Sequence, residues 1–285
     1  MKRKPYPSDV TDQQWALIEP LLPWSPRRCQ PGRPRAVDLR DVVNALFYHA
    51  REGCTWRALP HDFPTWNTVH YYFLEWNVHG TWQKILDVLR PLARVQAGRA
   101  PTPSAAAVDS QSVKTALGGK ERGIDGGKKV HGRKRHILVD SLGFLIAVVV
   151  TAANVDDARA AQDIFAQVRG RDFPRLQVVF ADGGYHNYEL YDWLSRHRRP
   201  YRLEIVSRPK GETKFKPLPV RWVVERTYAW QGRYRCLSKD YEHTPEASEA
   251  LIRIAAIHHL LQRLRPKGRP YSQRFRFKKP SNPVG

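Results

Sequence analysis

The sequence predicts an α/β protein, a mixed-sheet domain preceded by a small all-α part of helix-turn-helix type. Three observations predict it. Up to about residue 95, apolar residues recur at helical spacing between capping residues. From about residue 105, short runs rich in β-branched residues take over. Between the two lies "ARVQAGRAPTPSAA" (93–106), whose Pro, Ala and Gly have the composition of a linker. The expected units are residues 1–95, 96–264 and a basic flexible tail, 265–285.

The first helix is expected in "SDVTDQQWALIEPLLP", capped by Ser8 or Thr11 and stopped at Pro23. A Pro/Arg-rich stretch, 23–38, leads to "DLRDVVNALFYHAREG", which opens at Asp38 and closes at Gly53. "TWRALP" reads as a short helix, and "TWNTVHYYFLEWNVHG" as a longer one from Thr65 to Gly80. Helix, short helix and polar helix in that order fit a helix-turn-helix, with Thr65, Asn67, Thr68, His70 and Tyr71 at the DNA-reading end. In the second part, "AAAVDSQSV" (105–113), "KRHILVDSLG" (134–143) and "FLIAVVVTAA" (144–153) read as strands, the last two joined by a hairpin at Ser141–Gly143. Then follow the helix "DDARAAQDIFAQVRG", the strand "LQVVFADGGYH", the helix "NYELYDWLSRH", the strand "YRLEIVSRP" and a helix from about Leu218. Three strands followed by alternating helices and strands imply a mixed sheet covered by helices.

Of the 285 residues, 41% are hydrophobic and nine are Trp, enough to build a sizeable core. No apolar run approaches the roughly 20 residues that span a membrane, and the basic N-terminus lacks the apolar stretch of a secretion signal. Cys29, Cys54 and Cys236 are far apart, and no Cys or His spacing suits zinc. The expected location is cytoplasmic and nucleoid-associated, because the net charge of +21 calls for a polyanionic partner such as double-stranded DNA. The basic, Gly-rich "GGKERGIDGGKKVHGRKRH" has no Walker spacing. It reads as a loop between strands in which Lys128, Lys129, Arg133, Lys134 and Arg135 neutralise phosphates.

Acids in apolar surroundings carry the chemical reading. Asp109 lies inside one apolar strand and Asp182 at the end of another. Burying a carboxylate is costly unless it is paired or binds a cation. A strand-edge hydrogen bond for Asp109 and a turn before Gly183-Gly184 for Asp182 are the plainer readings. On the helix "RWVVERTYAWQGRYRCLSKDYE" the stripe Val223, Thr227, Trp230, Tyr234 and Leu237 is expected to face the core. Glu225 then points away from it, with Arg221, Tyr228, Gly232 and Cys236. An Arg221–Glu225 ion pair is the plainer reading there. Three acids carried by two strands and a helix also suit two hard divalent cations. Asp125, Asp140, Asp156 and Asp157 are other acids in reach, with Asp140 expected to be structural.

Together "VDSQSVKT", "GIDGGKKVHGRKRHILVDSLG", "FADGGYH" and "RWVVERTYAWQGRYRCLSKDYE" resemble the catalytic segments of DDE transposases of bacterial insertion sequences. The resemblance is greatest to the family usually numbered five. "YPSDVTDQQWALIEPLLP" and "GCTWRALPHDFPTWNTVHYYFLEWNVHGTWQKI" resemble that family's N-terminal domain, so the likeness runs over residues 6–264. It implies a ribonuclease H-like catalytic domain, with Asp109, Asp182 and Glu225 as ligands of two Mg²⁺ ions, for which Mn²⁺ can substitute. Arg221 stands at the signature arginine. The signature Tyr is absent, with Leu218 in its place, and Gly232 stands where a Lys is expected, leaving Arg233 or Lys239 to contact phosphate. The implied protein binds terminal inverted repeats, cleaves the element ends and joins them to target DNA as at least a dimer. A ribonuclease H-like nuclease that does not join, and an inactive DNA-binding regulator, are the alternatives.

Overall fold

The computed structural model describes residues 3–23, 37–116, 118–168, 172–206 and 222–265. Cys29, Arg221, Leu218, most of the Pro/Arg-rich stretch and all of the tail except Arg265 lie outside the described residues.

Four helices come first. α1 (Asp12–Ile18) starts at Thr11, whose hydroxyl accepts from the Gln14 amide while the Gln14 side chain accepts from the Thr11 amide. That reciprocal pair satisfies two otherwise orphaned donors. α2 (Leu39–Glu52) is capped by Asp38 and ends at Gly53 in the left-handed region, φ +72°. A β-carbon at residue 53 would also stand 2.6 Å from that of Arg235, so only glycine fits there. A short 3₁₀ turn, Trp56–Ala58, precedes α3 (Trp66–Val78) and α4 (Thr81–Gln96). α4 runs into the segment expected to be linker, and its Arg94 is buried in an ion pair with the wholly buried Asp140.

The sheet contains β1 (Ala105–Lys114), β2 (Gly123–Asp125), β3 (Val130–Asp140), β4 (Leu145–Ala152), β5 (Val178–Ala181) and β6 (Arg202–Ile205). β3 pairs antiparallel with β1, with β2 at its start and with β4 over the rest; β1–β5 and β5–β6 are parallel. α5 (Asp157–Gln167) and α6 (Tyr188–Arg196) follow β4 and β5, while α7 (Trp222–Gln231) and α8 (Pro245–Arg263) follow β6. This is the expected ribonuclease H-like mixed sheet behind a helical N-terminal part.

Each face of the sheet has its own core. Ala106, Val108 and Leu138 pack with α5, α6 and Tyr185. Ala107, Ile137 and Val139 belong to a larger core that also holds Val43, Phe47, Leu86 and Leu89 of the first helices and Leu251, Ile254 and Leu261 of α8. The apolar core therefore passes uninterrupted from the N-terminal helices, through α8, to the sheet.

Three expectations are corrected. β3 begins at Val130, so residues 130–133, expected in a loop, are strand. α7 ends at Gln231, which takes Tyr234 and Leu237 off the helical stripe and Cys236 off the face of Glu225; all three are buried beyond the helix. α8 was not expected, although Thr244 caps it and Pro245 occupies its first turn.

Asp140 accepts from the Leu142 and Phe144 amides as well as from Arg94, so it ties the β3–β4 hairpin to α4. Asp140→Ala leaves the Arg94 guanidinium buried without its partner. The expected loss is about 3–5 kcal/mol of unfolding free energy, read from urea melts; an unchanged midpoint would mean that Arg94 reaches water or another acceptor.

Candidate functional site

Pairing in the middle of the sheet brings Asp109 and Asp182 to one place. Ala105, Ala106 and Ala107 of β1 lie opposite Val178, Val179 and Phe180 of β5. The same parallel register, carried two residues further, sets Asp109 level with Asp182. Side chains alternate between faces, so Asp109 takes the face of Ala107, which packs into the core that α7 also lines; Asp182 follows the end of β5, with its Oδ1 beside Gly184. Asp109 is half-buried, and its Oδ1 accepts from the Ser110 amide at 2.7 Å. Asp182 is half-buried at the strand end and accepts from the Gly184 amide at 2.9 Å, opening a 3₁₀ turn over Gly183–Tyr185.

α7 lies over β1 and β3. The Tyr228 hydroxyl sits 3.0 Å from the Asp109 carbonyl oxygen and 2.7 Å from that of Arg135, bridging β1 and β3. Burial, and next the Asp109 carboxylate, push the Tyr228 pKa well above its usual value, so it stays a donor. Glu225 stands one turn earlier, exposed, in the first turn of α7. Among the described residues no three His, Cys, Asp or Glu side chains converge closely enough to hold a metal ion. The donors nonetheless suit a hard divalent cation, because the level pair offers only carboxylate oxygens.

Asp157 borders Asp182. A β-carbon placed on Gly184 would stand 3.1 Å from Asp182 Oδ1 and 3.7 Å from Asp157 Oδ2. Asp157 Oδ1 receives Lys134 Nζ at 2.9 Å, and His136 Nδ1 lies 3.8 Å away. Asp140, as expected, is structural. Asp125 accepts from the Ser112 hydroxyl, which foremost lowers its pKa, and from the Lys128 amide. Tyr185 and His136 are site neighbours that the sequence reading did not single out; Tyr228 was expected only on the side of Glu225, and Lys134 only at a phosphate. A tyrosine just after the Gly-Gly turn, and one three residues beyond Glu225, were the available signals.

The basic residues divide sharply. Lys128 and Lys129 are exposed at the turn between β2 and β3, and Arg233 is exposed after α7. The structure overturns the reading of Arg133, Lys134 and Arg135 as phosphate contacts in a loop. They lie on β3, buried, with all their side-chain donors engaged except Arg135 Nε. Arg133 pairs with Asp240 and donates to the carbonyls of Lys120, Glu242 and His243. Arg135 donates to the carbonyls of Leu237 and Lys239, and Lys134 to Val155 and Asp157. Thr65, which caps α3, and Asn67 and Tyr71 within it are exposed and Thr68 is half-buried; His70 is half-buried, with its ring against Trp56.

Residues 100–261, more than half of the chain, match the family model "Transposase DDE domain", and residues 10–86 match "Putative transposase of IS4/5 family". The chain belongs to the DDE transposase family. It is 31% identical over 133 residues to the "Putative transposase for insertion sequence element IS402" of Burkholderia cepacia, a match covering 43% of this chain and 60% of that relative, less than two thirds of its length. It is 33% identical over 118 residues to the "Insertion element IS402 uncharacterized 16.2 kDa protein" of the same organism, covering 40% of this chain and 78% of that one. Among solved structures, a chain of the piggyBac transposase synaptic complex with hairpin DNA aligns with a TM-score of 0.36 and 13% identity, over 89% of this chain and 73% of that one.

The Arg133 cluster yields a pH dependence. Burial, reinforced by Asp240, pushes the Glu242 carboxyl up to about 7 from 4.5. The folded state thus holds a proton that the unfolded state has released, and this contribution to stability is lost as pH rises from 4.5 through about 7. Glu242→Gln cannot release that proton. Its unfolding free energy relative to wild type is expected to climb across that interval and level off above it; urea melts against pH that stay parallel would refute the assignment.

Proposed function

We propose that the protein is a DNA transposase that binds the terminal inverted repeats of its element, cleaves the ends and joins them to target DNA. What supports this reading is that Asp109 on β1 and Asp182 just after the adjacent, parallel β5 lie on neighbouring strands, with the helix that bears Glu225 held on β1, in a chain of the DDE transposase family. Asp109, Asp182 and Glu225 are the residues that would hold two magnesium ions. Such ions, when bound, lower the pKa of the attacking water or 3′-hydroxyl and stabilise the leaving oxygen. Tyr228 holds α7 against β1, which keeps Glu225 within one helical turn of the Asp109 strand. Arg221 would orient Glu225 or a phosphate. Residues 1–95 supply end recognition, with Thr65 at the cap of α3 and Asn67 and Tyr71 on it, and residues 96–264 carry the chemistry. Two ends have to be processed together, so the working assembly is at least a dimer on double-stranded DNA. No helix among the described residues is long and apolar enough to cross a membrane.

The direct test is incubation of the purified protein with element-end DNA, Mg²⁺ and a plasmid target. Cut ends and joined products are expected; cutting without joining would identify a nuclease, and binding without cutting a regulator. Asp109→Asn, Asp182→Asn and Glu225→Gln should each bring nicking to background while gel shifts of end DNA stay at wild-type strength. Appreciable nicking by one of these variants removes that residue from the set.

Salt dependence addresses the DNA surface. If Lys128 and Lys129 each neutralise a phosphate, replacing either with Ala should reduce the slope of log K against log salt by about 0.9. Arg133→Met and Arg135→Met should leave the slope unchanged and lower thermal stability, because those side chains are committed inside the fold. Equal slopes for the Lys128→Ala protein and wild type would remove that residue from the interface.

A further inference from the structure

Beside the Asp109–Asp182 pair lies a set of polar groups that the proposed reaction does not use. Lys134, on the face of β3 that packs with α5, donates to the Val155 carbonyl at 2.8 Å and to Asp157 Oδ1 at 2.9 Å. That fixes Asp157 in the first turn of α5 and leaves its Oδ2 turned toward Gly184, where Asp182 Oδ1 also lies. The two oxygens border one small space, open because residue 184 has no side chain.

The next residue, Tyr185, is fully buried, and its hydroxyl has no hydrogen-bond partner among the described residues. The carboxylates whose charges act on it are Asp109, Asp157 and Asp182. A buried hydroxyl without a partner leaves its desolvation uncompensated. Phenylalanine would fill the same ring volume without that cost. A hydroxyl kept under these conditions is accounted for by an acceptor it meets in another state of the site, and three carboxylates are the acceptors at hand.

We propose that Tyr185 is a positioning residue for Asp182: when that carboxylate turns an oxygen to a divalent cation, the Tyr185 hydroxyl donates to it, while the Lys134–Asp157 ion pair holds the Gly183–Tyr185 turn in place. This rests on the reading of Asp182 as a cation ligand. Carboxylates that ligate metals are themselves held by hydrogen bonds, and loss of such a support typically weakens metal binding about 10–100-fold.

The test uses the full chain and Mn²⁺, with two readouts: the rise in thermal midpoint as Mn²⁺ is added, and nicking of end DNA. Tyr185→Phe is expected to unfold in EDTA at or above the wild-type midpoint. It should need about 10-fold or more Mn²⁺ for the same midpoint rise and for half-maximal nicking, and should keep the wild-type maximal rate once saturated. Lys134→Gln should move both titrations in the same direction, and it carries the test if Tyr185→Phe does not fold. Wild-type Mn²⁺ titrations for both variants overturn the positioning role and leave the reading of Asp182 intact. A lowered midpoint in EDTA with an unchanged Mn²⁺ requirement makes Tyr185 a packing residue and also overturns it. If Asp182→Asn responds to Mn²⁺ as wild type does, the ligand reading falls and the positioning role with it.

Discussion

A buried positive charge must be met by oxygen, and β3 buries three in succession, Arg133, Lys134 and Arg135, followed by His136. Alternation along the strand divides the task between the two faces. Arg133 and Arg135 turn to the side of α7 and gather the chain after it: the carbonyls of Leu237, Lys239, Glu242 and His243, and the Asp240 carboxylate. Lys134 turns to the other side and gathers the chain before α5. Removing one member of such an arrangement leaves a charge in a medium that solvates it poorly, so the partners are fixed as firmly as the cations. Segments more than a hundred residues apart are thereby fastened to one strand.

The acid pair inherits its rigidity from this arrangement. β1 lies between β3 and β5, and its register with each is set over several residues before Asp109 is reached. Neither aspartate depends on a flexible loop for its height in the sheet. The helix that bears Glu225 is fastened differently. Tyr228 reaches two carbonyls of the sheet, and Thr227 and Arg226 reach the carbonyls of Gly143 and Leu142 in the β3–β4 hairpin. Arg226 also lies between the rings of Trp222 and Trp230. The third acid thus stands on an element anchored from Arg226 onward, while Glu225 itself remains exposed.

Much of this was legible in the sequence. Thr11, Asp38 and Gly53 announce helix boundaries by chemistry that acts within one turn, and the structure agrees at each. The apolar strands around Asp109 and before Asp182 were legible for the same reason, because a short run of apolar, β-branched residues is a local signal. The failures share a different cause. A row of Lys and Arg beside glycines looks solvated unless the acceptors are known, and here most are backbone carbonyls, which carry no residue-specific signal. The end of α7 was missed because the apolar residues continue past Gln231 at nearly helical spacing while the backbone turns. Asp157 was noticed only as one acid of several, since its place beside Asp182 depends on how α5 approaches the turn after β5.

α8 has a consequence for the order of assembly. It contributes Leu251, Ile254, Ala255 and Leu261 to the core that the first helices line with Val43, Phe47, Leu86 and Leu89. Those early residues emerge from the ribosome more than a hundred and fifty positions before the helix that covers them. Until residues 245–263 are synthesised, their apolar surface has no native cover, and contacts of such long sequence separation form late. A chain arrested after the sheet would therefore present first helices that are incompletely packed, so translation must pass α8 before those helices reach their final form.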